Sequence, residues 1–153
     1  MKIRGFQRLR ADRGSTLVEF SLVGFMFIIV LLGVVEMGRM VLVYTTVANA
    51  ARTGARYAIV HGGTRTGVGA TGVNGPSGPG NTTQVETVVQ NFASAGLLNT
   101  SNLTITVAYP DGNNKAGSKV DVTVTYPYDP LVTFFNAILV TTMGSTSEGI
   151  ITF

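Results

Sequence analysis

The tightest constraint on this chain is the run Phe20–Val35, FSLVGFMFIIVLLGVV, sixteen residues without a charge. As a helix at ~1.5 Å per residue it spans roughly 24 Å. Thr16–Val18 before it, and Met37 and Met40–Tyr44 after it, extend it toward the ~30 Å of a bilayer's hydrocarbon core. A helix buried in a soluble domain rarely runs this far without a polar face, so a membrane helix is expected. Glu19 stands at its mouth, where a carboxylate is costly without a partner. The spacing suggests cleavage after Gly14, which would make Ser15 the first residue of a shorter chain and Glu19 the fifth.

Charge is uneven along the chain. Lys2, Arg4, Arg8, Arg10 and Arg13 precede the apolar run against the single acid Asp12. That segment carries +4, so the formal +3 of the whole chain leaves −1 for Ser15–Phe153. Nucleic-acid binding would need basic residues spread over a folded face, so no nucleic-acid partner is expected. Bases clustered before a membrane helix follow the positive-inside rule, with the N-terminus cytoplasmic and the rest outside. Ala48-Asn49-Ala50 resembles a signal-peptidase site, but it lies well beyond the apolar core, with Glu36 and Arg39 between.

Helix is expected to continue past the membrane to about residue 60. Between Glu36 and Val60 there is no proline, and Ala48, Ala50, Ala51, Ala55 and Ala58 favour helix. Tyr44, Ala48, Ala51, Ala55 and Ala58 recur at steps of three and four, a stripe of mostly small residues. Asn49, Arg52 and Arg56 lie on a neighbouring face. The stripe suits two roles, close packing against helices of other subunits or a seat on the chain's own outer domain. Glu36 and Arg39, one turn apart, are expected to pair at the outer membrane interface, and Arg52 and Arg56 are further candidates for ion pairs.

Three words occur in order: Arg-Gly-Ser-Thr-Leu-Val-Glu-Phe (Arg13–Phe20), Val-Glu-Met-Gly-Arg (Val35–Arg39) and Asn-Ala-Ala-Arg-Thr-Gly-Ala-Arg-Tyr-Ala (Asn49–Ala58). Together they closely resemble the TadE-like family, pilin-like or pseudopilin proteins of the bacterial tight-adherence (Flp) pilus system. The resemblance covers roughly residues 13–60, with a looser echo in Tyr126–Leu131. It implies a prepilin peptidase cutting between Gly14 and Ser15, with Ser15 where many members carry Ala. It implies that Glu19, followed by Phe20, serves assembly by pairing with the new Ser15 amine of a neighbouring subunit. A buried carboxylate needs such a partner, and the uncut chain would offer only a neutral amide. The implied partners are the peptidase, other pilin or pseudopilin subunits, an inner-membrane pilus assembly platform and membrane lipid.

The remainder reads as a small outer domain. His61–Asn81 holds eight glycines in 21 residues and two prolines, a loop. Thr82–Leu98 is expected as a helix, with Val85, Val88, Val89 and Phe92 on one face, a cap at Thr82 or Thr83, and an end at Gly96. Leu103–Tyr109 and Val120–Tyr126 alternate apolar and polar, and Pro110–Ser118 turns between them, forming an antiparallel hairpin with one buried face. A short helix is expected over Leu131–Ile138 and a third strand within Leu139–Phe153. The expected class is α+β, a long N-terminal transmembrane helix extending into a small antiparallel sheet, as in a type IV pilin-like lollipop. Its parts are a basic leader (1–14), the helix (15–60), the Gly/Pro-rich loop (61–81) and the outer domain (82–153).

Other motifs carry little. Gly67–Gly72 matches G-x-G-x-x-G but follows a helix rather than a strand, so a nucleotide reading fails. Asp111-Gly-Asn-Asn114 lacks the bidentate carboxylate of a calcium loop and reads as a turn. The sequons at Asn81, Asn99 and Asn102 are ordinary in a Thr-rich chain. With no cysteine and His61 as the sole histidine, a nucleophilic triad or transition-metal centre has too few parts. Neither catalysis nor a cofactor is expected. The leading reading is a processed structural pilus protein. The alternative is an uncleaved single-pass anchor presenting a small binding domain outside.

Overall fold

The computed structural model describes residues 9–65, 75–96, 98–132 and 141–152, with side chains from Gly14 onward in the first segment. The fold is α+β, a long N-terminal apolar helix followed by a three-stranded antiparallel sheet. The chain divides into two compact units between Gly38 and Arg39.

Helix α1 runs Leu9–Val60 without interruption. In the first unit its large apolar side chains stand in the open. Leu17 is 70% exposed, Phe20 76%, Phe25 64% and Met37 68%. The helix is long and apolar enough to cross a membrane, and its most apolar window buries nothing within the chain. A soluble core helix would do the opposite.

In the second unit the outer part of α1 packs against the rest of the domain. Val47, Ala50, Ala51, Ala55 and Ala58 are buried with Val85, Val89 and Ala93 of helix α2 (Thr83–Ala95) and with Val120, Val122 and Val124. Ala51, Ala55 and Ala58 of the expected stripe therefore seat α1 on its own domain, the second of the two roles open to it, whereas Tyr44 is exposed and Ala48 half-buried, and Val47 and Ala50 stand in the core instead. Gly54 marks the closest approach. An added Cβ would stand 2.5 Å from Val89 Cγ2 and 3.1 Å from Val122 Cγ1.

The sheet has the order β1-β2-β3: β1 Thr104–Ala108, β2 Lys119–Tyr128 and β3 Thr141–Ile150, all antiparallel. The expected hairpin is present, with Ile105 opposite Val124 and Val107 opposite Val122. Gly112 and Gly117 hold φ of +67° and +92° in its turn, where glycine carries no Cβ penalty. Pro127 lies in the middle strand, but β1 ends opposite Thr125, so beyond that point β2 has a single strand neighbour and tolerates the missing donor. The third strand falls inside the expected segment. Its inward positions Met143, Ser145, Ser147 and Gly149 are mostly small. At Gly149 a Cβ would collide with the Ile59 side chain of α1.

Helix α2 ends at Ala95 with Gly96 as its C-cap, as expected, short of the outer bound Leu98. One local expectation needs correction. Thr82 is its N-cap but makes no side-chain cap bond, because its hydroxyl donates to Glu86 Oε1 at 2.7 Å instead. With φ −98° and ψ −10° the residue is helical, whereas a capping hydroxyl works from an extended one. The helix expected over Leu131–Ile138 lies almost wholly outside the described residues.

The last carbonyls of α1 are satisfied by the residues just after the helix and by Thr152 from the far end of the chain. His61 Nδ1 bonds Tyr57 O at 2.8 Å, and Thr152 donates to Ile59 O through its N–H at 3.0 Å and its hydroxyl at 3.2 Å. Arg65 Nη1 donates to Val60 O at 3.0 Å. Orphan carbonyls at a helix end are costly when shielded from water, so these bonds fix where α1 stops.

Candidate processing and assembly site

The residues expected to serve processing lie on one turn of α1. Gly14 and Ser15 are exposed, and a Cβ added to Gly14 would meet nothing within 4 Å. The bond between them lies inside the helix. Glycine is among the weakest helix formers, so the turn around Gly14 is the easiest part of this segment to unwind. Thr16, Glu19, Phe20 and Val23, spaced three, one and three apart, line a shallow open depression along one side of the helix. Among the described residues nothing pairs with the Glu19 carboxylate, and Phe20 beside it is 76% exposed. The arrangement presents an acid and an aromatic ring together on an otherwise apolar surface.

In the second word of the sequence, Val35–Arg39, the arginine reaches beyond its own helix. Glu36 is only 2% exposed. The Arg39 guanidinium donates from Nη1 to Asp129 O at 2.7 Å, and its Cζ lies 5.1 Å from the centre of the Tyr128 ring. Tyr128 is 2% exposed, so this cation–π contact is shielded on one side. Arg39 thus joins the Tyr126–Leu131 stretch, ninety residues further along the chain. Sequence reasoning assigned Arg39 only to Glu36. The Tyr-Pro-Tyr-Asp-Pro cluster was the available signal for the longer-range partner.

The third word, Asn49–Ala58, combines burial and exposure on one helix. Gly54, Ala51, Ala55 and Ala58 face the domain core, while Arg52 and Arg56 are exposed on the far side. Arg52 Nη1 reaches Asn49 Oδ1 at 3.5 Å, a weak contact, and no ion pair holds either arginine among the described residues.

A polar junction missed by sequence reasoning closes the far end of α1. Ser77 N donates to His61 O at 2.6 Å and Ser77 Oγ does so at 3.1 Å. Asn114 Nδ2 donates to Ser77 O at 2.8 Å, and Gly63 N donates to Asn114 O at 2.7 Å. Asn114 fits because both Gly63 and Gly78 lack a Cβ that its side chain would strike. The His61 ring stacks on Tyr57 with centroids 3.7 Å apart. Burial pushes the His61 imidazole below its ordinary range, the bond to Tyr57 O opposes this, and the Arg65 charge adds to the lowering. Burial raises the Tyr109 phenol, which the Ser77 hydroxyl partly offsets from beyond bonding geometry.

The Asp111–Asn114 segment is the expected turn. Asp111 Oδ2 accepts from Lys119 N at 2.8 Å, and Asn113 Oδ1 accepts from Lys115 N and Ser118 Oγ at 3.0 and 2.6 Å. Among the described residues no group of three His, Cys, Asp or Glu side chains could hold a metal ion. The G-x-G-x-x-G segment at 67–72 lies outside the described residues.

The family model described as TadE-like protein matches residues 14–56, which hold the second of the words above whole and all of the other two except Arg13, Tyr57 and Ala58. No curated protein and no solved structure matches the chain.

Proposed function

We propose, from the match of residues 14–56 to the TadE-like family, that this chain is a pilin-like structural protein of a tight-adherence pilus. In this reading a prepilin peptidase cuts after Gly14 and the mature chain begins at Ser15. It enters the inner membrane with its N-terminus cytoplasmic and its outer domain outside. It then acts as a pilus subunit or assembly factor with other pilin-like chains and an inner-membrane platform.

The observation that carries the proposal is the exposed apolar surface of α1 from Leu17 to Met37 with Glu19 set into it. Lipid covers such a surface before assembly and neighbouring helices cover it afterwards. Cleavage creates an amine that can neutralise Glu19 of a neighbour as the helix leaves the lipid boundary. Glu36 and Arg39 pair across one helical turn in the same reading, which neutralises the buried Glu36 carboxylate.

The test is the N-terminal sequence and intact mass of the full chain from membranes with and without a prepilin peptidase. A chain starting at Ser15 only when the peptidase is present supports the proposal. A chain retaining its leader in both samples overturns it and favours the uncleaved anchor with an outer binding domain.

A further inference from the structure

The second unit carries two like-charged pairs on opposite sides of its helix-on-sheet layer. On the outer face of the sheet the strand register forms rows. Thr106, Thr123 and Thr146 make one, and Ala108, Asp121 and Glu148 make the next. Asp121 and Glu148 are directly opposed, with Cβ atoms about 4.5–5.5 Å apart, an arrangement that like charges disfavour. The adjoining row is closed by a hydroxyl bond of 2.8 Å between Thr123 and Thr146. Lys119 lies on the same face opposite Ile150 and offsets part of the charge without an ion pair among the described residues. Asp121 Oδ1 is shielded from solvent and has no hydrogen-bond partner.

On the other side stand Arg52 and Arg56, both exposed on the face of α1 turned away from its buried alanines. At i and i+4 their Cβ atoms are about 5–6 Å apart, which also disfavours like charges. No acid occupies the exposed positions beside them, Thr45 and Asn49. The inner sheet face, Val120, Val122 and Val124, is buried with α1 and α2, so the carboxylates point away from the helices. At least one helix diameter, about 10 Å, separates the pairs within a copy.

We propose that a second copy of this chain docks here, its Asp121 and Glu148 meeting Arg52 and Arg56 of the first. The two pairs are opposite in sign and alike in spacing, and each relieves the other's repulsion. Because the surfaces differ and lie on opposite sides, the contact is heterologous, and repeated it adds further copies head to tail. The proposal rests on the pilus reading for its setting, and its test separates the two.

The chain contains no cysteine, so Arg56→Cys and Glu148→Cys together introduce the only thiols. An arginine–carboxylate contact holds the Cα atoms beyond the ~7 Å reach of a disulfide, so a short bismaleimide is the crosslinker. The full-length double variant in membranes should give a ladder of oligomers, and each single variant should stay monomeric. A second arm reverses charge. Arg52→Glu with Arg56→Glu, or Asp121→Arg with Glu148→Arg, should each lower the pelletable oligomer at low salt about tenfold. The quadruple variant should recover it. No ladder, or no recovery in the quadruple variant, overturns the contact. Wild-type incorporation into filaments is scored in parallel. Incorporation without a ladder refutes the contact and spares the pilus reading. A ladder with recovery but without filaments upholds the contact and removes the pilus reading.

Discussion

Gly54→Ala is expected to destabilise the outer domain although alanine is the better helix former. Gly54 sits where α1, α2 and β2 meet, and the new Cβ would lie 2.5 Å from Val89 Cγ2 and 3.1 Å from Val122 Cγ1. Carbon atoms in good contact are ~3.5–4.0 Å apart, so α1 must retreat by about 1 Å or a valine must leave its rotamer. Val89 and Val122 are fully buried, and their β-branched side chains are stiff. Overpacking of this kind costs ~1–3 kcal/mol, with the upper half expected where two fixed side chains are struck. The helix gains ~1 kcal/mol from losing a glycine. The net loss is about 1–2 kcal/mol, which lowers Tm by roughly 4–16 °C for a domain near 100 residues. Gly38→Ala is the control. It lies in the same helix, and a Cβ there meets nothing within 4 Å. It should show no loss. The assay is thermal unfolding of the full chain in detergent micelles, followed by near-ultraviolet dichroism. A Tm for Gly54→Ala at or above wild type would refute the packing argument.

Further outcomes follow from other contacts. Arg39→Lys keeps the charge but loses the flat guanidinium over Tyr128 and its geometry toward Asp129 O; it should cost ~1 kcal/mol, and an unchanged Tm would show that the contact contributes nothing. His61 is the sole histidine, so its ring resonances titrate alone, and its folded pKa should fall below 6.5. The unfolded chain then binds the extra proton first, so this stabilisation is complete above about pH 6.5 and is lost as pH falls toward the folded value. A resonance midpoint at or above 6.5 would contradict the burial argument. Glu19→Ala should insert normally yet lower filament yield, and normal yield would sink the pairing with the Ser15 amine. Gly14→Leu should block maturation, checked by the mass of the membrane-bound chain.

Much of this protein was legible in one dimension. The uncharged run Phe20–Val35 marks a helix long and apolar enough to cross a membrane, and in the fold most of its side chains stand exposed. Strict alternation in Leu103–Tyr109 and Val120–Tyr126 marks a hairpin, because a strand's side chains change face at every residue. The three words in order mark the segment that is similar to the TadE-like family, and a single continuous helix carries them.

What the line of residues left open was decided by contact between segments distant in sequence. The alanine stripe of α1 is equally suited to a neighbouring subunit or to its own sheet, and only the packing of Val89 and Val122 against Gly54 chooses the sheet. The strand β3 has little apolar alternation to announce it, because Ile59 from α1 fills the space above Gly149. The charge on Arg39 finds a carbonyl and a ring ninety residues away rather than only a neighbour on its own helix. Periodicity reports which residues share a face. It does not report what covers that face, because burial and pairing belong to two surfaces at once and the second is written elsewhere in the chain.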